Sequence, residues 1–122
     1  MKYLAILIPF ALLLGLNGCY YDNEEDLYPV LPDCDTIDVS YSITIVPLLE
    51  QHCLGCHSNS ARSGNIGLED HAEVQTAAQN GSFYGSISRS GNFSPMPKGG
   101  NMLPDCDIAQ VKHWIWAGAL NN

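Results

Sequence analysis

Apolar and polar positions are distributed unevenly along this chain. From Tyr3 to Leu16 almost every residue is apolar, so a helix there has no polar face to turn outward. The run falls short of the roughly 20 apolar residues that span a bilayer, and it has the length and flanks of a secretory leader. Residues 20–32, "YYDNEEDLYPVLP", carry no periodic apolar face and read as a tether. Periodicity begins with Ile45, Leu48, Leu49 and His52, whose spacing predicts a helix entered at Ser42 and Thr44. Pro47 falls in its first turn, where amides have no intrahelical partner and proline is tolerated. A second helix is predicted from Leu68 to about Asn80, stopped by Gly81. "SRSGNFSPMPKGGNML" (88–103) is a Gly/Pro/Ser/Asn-rich loop. Asp105 then reads as the cap of a last helix, with Ile108, Val111, Trp114 and Ile115 as its apolar stripe and Gly118 near its end. No stretch alternates as a strand would, and no internal repeat is visible. The expected fold class is all-α: three to four helices joined by long loops.

The residues at the end of the leader change its meaning. "LNGC", Leu16 to Cys19, resembles the lipobox of bacterial lipoproteins, in which the signal is cleaved before a lipid-bearing cysteine. On that resemblance residues 1–18 are a signal peptide and Cys19 is a lipidated first residue. Its several acyl chains suffice for stable anchoring where one chain is marginal. Residues 19–32 then form an acidic tether, with a typical reach of roughly 20 Å if flexible, and residues 33–122 form one small domain. Removing Lys2 with the leader leaves four basic residues against thirteen acidic ones, a formal charge of −9. Such a surface disfavours nucleic acid and suits a partner with a basic face. Export also puts the remaining cysteines in an oxidising compartment.

"CLGCH" (53–57) is the densest chemistry in the chain. Three uses compete for it. A zinc site wants two close Cys/His pairs, but Cys34 and Cys106 stand alone in sequence. A thioredoxin-like dithiol wants a βαβ context, which the pattern lacks. A covalent haem uses every letter that matters. Thiols three residues apart lie on one side of a helical turn and can add across both vinyl groups of one porphyrin, while His57 points an imidazole at the iron. Cys-x-x-Cys-His is the attachment signature for c-type haem, and export supplies the compartment in which that haem is attached.

A second axial ligand is offered by Met96 or Met102, and Met96 is stiffened between Pro95 and Pro97. Here the chain resembles the small cytochrome c family, in which a Met-Pro pair precedes a short loop, an acidic cap and a C-terminal aromatic helix. The matching residues are Met96-Pro97, Leu103, Asp105, Asp107-Ile108, Val111 and Trp114-Ile115. The resemblance implies that Met96 is the sixth ligand and that three to four helices wrap one haem. "VSYSITIVPLLEQHCLGCHS", "SGNIGLEDHAEVQTAAQNGSFYGSI" and "WIWAGALNN" further resemble single-haem cytochrome c lipoproteins of Bacteroidetes-type bacteria. Many members of the wider family place a proline carbonyl against the axial imidazole. This chain has no proline between His57 and Ser94, so a carbonyl near Ile66 to Leu68 is expected to serve.

Cys34 and Cys106 remain, and a disulfide between them ties the edge of the domain to the last helix. Trp114 is expected to pack inward against the haem side of that helix, with Trp116 outside or near a propionate. His52 is expected at the helix surface or the haem edge, while His71 and His113 read as packed or solvated side chains. The implied function is a monomeric, membrane-tethered electron carrier rather than an enzyme, with one haem c held by Cys53, Cys56, His57 and Met96. The expected location is the outer membrane, facing the periplasm or the cell surface. Two alternatives stay open: a haem subunit of a larger oxidoreductase complex, and a ligand sensor with a labile Met96.

Overall fold

The structure, a computed structural model, describes residues 34–122. The leader, Cys19 and the tether lie outside the described residues. Ser40 starts the first helical segment: its hydroxyl accepts from the Ile43 amide at 3.4 Å, and its carbonyl accepts from both Thr44 and Ile45. The cap therefore sits two residues before Ser42, which is exposed. A wide turn, Tyr41–Ile45, runs into α1 (Val46–His52), where Pro47 occupies the tolerated first turn. Cys53 interrupts the helix, and α2 (Leu54–His57) restarts it for a single turn. The Cys53 carbonyl accepts from the amides of both Cys56 and His57, at 3.0 and 2.9 Å. One backbone group thus winds the whole CLGCH motif.

The next helix, α3 (His71–Gln79), starts three residues later than its apolar pattern suggests. Leu68 is buried, but it belongs to the preceding loop, where its amide donates to the His57 carbonyl at 2.8 Å. Gly81 ends α3 at φ 80° and in the same stroke starts α4 (Ser82–Ile87), which the sequence pattern did not reveal. A left-handed residue there is cheap only for glycine. After the Ser88–Pro104 loop comes α5 (Asp105–Trp116), with Pro104 at the cap position and Asp105 as the first helical residue. Asp105 and Asp107 still face the positive end of the helix dipole.

The inner faces meet in one core whose best-buried members are Ile45, Leu49, Val74, Val111 and Trp114. Trp114 is 1% exposed; its ring stacks on Tyr41 at 5.5 Å and its indole N–H donates to the Leu120 carbonyl at 2.9 Å. His71 lies edge-on to Tyr41 and bonds through Nε2 to the Ala119 carbonyl at 3.0 Å. The Asn122 carbonyl and side chain take bonds from Ser40, Tyr41 and Ser42, which seats the last turn on the first. Cys34 and Cys106 are joined, with Cα atoms 5.4 Å apart. The described residues are all-α; no strand and no helix long and apolar enough to cross a membrane occurs among them.

Candidate functional site

Four elements converge on a cleft of about 530 Å³, within the roughly 300–1,000 Å³ of small-molecule and cofactor sites. The α1–α2 corner contributes His52, Cys53, Cys56 and His57; the following loop contributes Ile66 and Leu68. Phe83 and Ile87 come from α4, and Met96, Pro97 and Leu103 from the loop before α5. The lining is largely aliphatic and aromatic, so a flat apolar group would shed water on entering it. Polar side chains on the lining are those of His52 and the motif, Ser63 and Lys98 on the loops, and Ser82 and Ser86 on α4.

His57 is the buried polar residue of the site, at 9% exposure. Its Nδ1 lies 3.3 Å from the Ile66 carbonyl, which fixes Nδ1 as the protonated nitrogen and leaves Nε2 as a free lone-pair donor. The acceptor falls within the Ile66–Leu68 window expected from the missing proline. Cys53 and Cys56 are both free thiols, Cys53 half-buried and Cys56 exposed. Burial pushes the Cys53 thiol up to about 11. That is the reverse of an activated redox dithiol, whose attacking cysteine is shifted down to expose thiolate at neutral pH.

Met96 is half-buried and lines the same cleft, and its amide donates to the Ser86 carbonyl of α4 at 3.1 Å. Met102 is exposed and does not line the cleft. Phe93 secures the loop that carries Met96. Its ring lies directly over Gly85 of α4, where a Cβ would collide with it, and it also closes on Gly81 and Gly91. Among the described residues no three His, Cys, Asp or Glu side chains gather as a metal-binding group.

One placement departs from expectation, and the others fall within it. Trp114 is inward, but its ring belongs to the Tyr41–His71 cluster and does not line the cleft. The helix stripe marks burial; it cannot say which neighbour is met. Trp116 is 60% exposed beneath the Lys112 ammonium, 4.4 Å from its ring centre, and His113 is exposed beside it. His52 lines the cleft and faces Asp107 of α5 at 3.7 Å, a pairing across elements that sequence spacing does not announce. Comparison with protein-family models, curated proteins and solved structures returned no match.

Proposed function

We propose that the chain is a single-haem c-type cytochrome, an electron-transfer protein held at a membrane by a lipid on Cys19. The observation that carries this reading is the meeting of a Cys-x-x-Cys-His turn and Met96 on one apolar cleft of about 530 Å³. The residues present fit the group. Two thiols one helical turn apart would anchor it, the free Nε2 of His57 would ligate its iron, and Met96 would supply a thioether from another element. Both thiols would be consumed as thioethers, and a half-buried Cys53 whose thiol is pushed up suits that structural use better than thiol exchange. The bound haem supplies one-electron exchange; the protein supplies orientation, dryness and ligand choice.

Each residue's part comes from its position. The Ile66 carbonyl holds the His57 proton on Nδ1, which orients the ring and keeps the Nε2 lone pair available as a ligand. Leu68, Phe83, Ile87 and Leu103 exclude water from the cleft. A Met96 thioether ligand would favour the reduced metal and raise its potential. The acidic balance of the chain favours a basic redox partner, with association that weakens as salt rises.

Coordination distinguishes a carrier from a ligand sensor or a catalytic haem site. Optical spectra of the exported protein should show a six-coordinate low-spin haem that resists carbon monoxide. A five-coordinate haem that takes carbon monoxide at once would reject the carrier in favour of a sensor or catalytic site.

A further inference from the structure

The loop between α2 and α3 reaches His57 twice. Ile66 offers its carbonyl to Nδ1, at 3.3 Å, and Leu68 gives its amide to the His57 carbonyl, at 2.8 Å. Gly67 lies between those two contacts and is buried. A Cβ at Gly67 would run into Glu73 Oε2 and would lie 2.6 Å from Arg62 Nη1, because the paired side chains rest on that face of the backbone. The pair is two-pronged: Arg62 Nη1 donates to Glu73 Oε2 at 3.3 Å and Nη2 donates to Oε1. Arg62 also donates to Asn59 Oδ1 at 3.3 Å, and Asn59 in turn donates to Glu69 and Asp70 at 2.6 and 3.1 Å.

This bridge is poorly placed to stabilise the fold. Its side chains are 38% and 35% exposed, and solvent screens such pairs so that they add little to stability. The backbone beneath it is nonetheless costly. Arg62 holds a left-handed conformation at φ 38°, which is disfavoured for a residue with a long side chain, and Asn65 follows at φ 61°, where asparagine is tolerated. A weak surface pair over a costly backbone makes sense if what it secures is position.

We propose that the Arg62–Glu73 bridge, seated on Gly67, is the positioning device that holds the Ile66 carbonyl on His57 Nδ1 and so sets the donor strength of Nε2. A charged clamp thereby does what a rigid residue such as proline could do by itself. The inference rests on the haem reading, and Arg62 and Glu73 act through Ile66 without touching the cofactor.

The test uses the full exported chain as Glu73→Gln and Arg62→Gln, which change the local charge in opposite directions, and as the charge-neutral Gly67→Ala. The readouts are exchange of the His57 Nδ1 proton by NMR in the reduced holoprotein and the midpoint potential. A clamp predicts roughly five- to tenfold faster exchange in every variant that folds, the factor that corresponds to losing a hydrogen bond of ordinary net strength. It also predicts a higher potential in Gly67→Ala, where no charge has changed. Unchanged exchange in both charge variants, with potentials moved in opposite directions, would mean simple through-space electrostatics and would overturn the clamp. If Gly67→Ala does not fold, the two charge variants decide alone. A chain that exports without covalent haem would instead sink the cofactor reading, and the clamp with it.

Discussion

Replacing Cys34 and Cys106 by serine opens the bond that ties the start of the described domain to the first turn of α5. The two positions are 72 apart, so α1 through α4 all lie inside the closed loop. Releasing a loop of that length returns about 4 kcal/mol of chain entropy to the unfolded state. The total stability of a domain of this size is on the order of 4–13 kcal/mol, so the loss is a large fraction of what there is. Little nearby compensates. Gln110 donates to the Asp35 carbonyl at 3.0 Å, and a partly exposed bond of that kind contributes about 1 kcal/mol. At about 4–8 °C per kcal/mol for a domain of this size, the melting temperature should fall by roughly 15–30 °C. Urea unfolding of the oxidised protein and the double serine variant measures the free energy. The m-value should rise in the variant, because its unfolded chain exposes more surface. A loss under about 1 kcal/mol with an unchanged m-value would mean that the bond does not restrain the unfolded chain.

Single contacts supply the other expectations. Trp114→Ala should cost about 3–5 kcal/mol by urea melt, because a buried ring in the Tyr41 stack is removed, whereas Trp116→Ala should cost under about 1 kcal/mol; equal costs would contradict the placement of the two rings. Gly85→Ala should gain up to about 1 kcal/mol of helix propensity only in a Phe93→Ala background. The same change in free energy with Phe93 present would show that the ring does not rest there. Met96→Ala should lower the midpoint potential and open the iron to added imidazole, while Met102→Ala changes neither. Spectroscopic titration checks this, and an unaltered Met96→Ala would return the sixth ligand to Met102 or a histidine.

Much of the fold could be read from local pattern, and the limits of that reading have physical causes. Ile45, Leu48 and Leu49 and the Ile108–Val111–Trp114 stripe are buried as their spacing demands, because a helix has one inner face whatever it packs against. Helix α4 was hidden because "SFYGSI" mixes serine and glycine with its apolar residues. Its glycine is needed there to admit the ring of Phe93, a requirement that only packing reveals. Leu68 misled the start of α3 because an apolar residue signals burial whether it sits in a helix or in a loop. Within the cleft, the cysteine–histidine turn and Met96 were legible from motif and loop chemistry. The carbonyl for His57 was bounded by the absence of a proline, and the structure assigns it to Ile66. The neighbours of Trp114, the His52–Asp107 pair and the bridge over Gly67 depend on how separate segments meet. Periodicity carries no information about that.

The most direct test of the central claim is haem staining of a denaturing gel, using protein exported from a host equipped to attach c-type haem. A haem held covalently by Cys53 and Cys56 predicts a stained band at the size of the exported chain that survives denaturation and vanishes in the Cys53→Ala/Cys56→Ala double variant. A folded, exported chain that does not stain would contradict it and return CLGCH to thiol or metal chemistry.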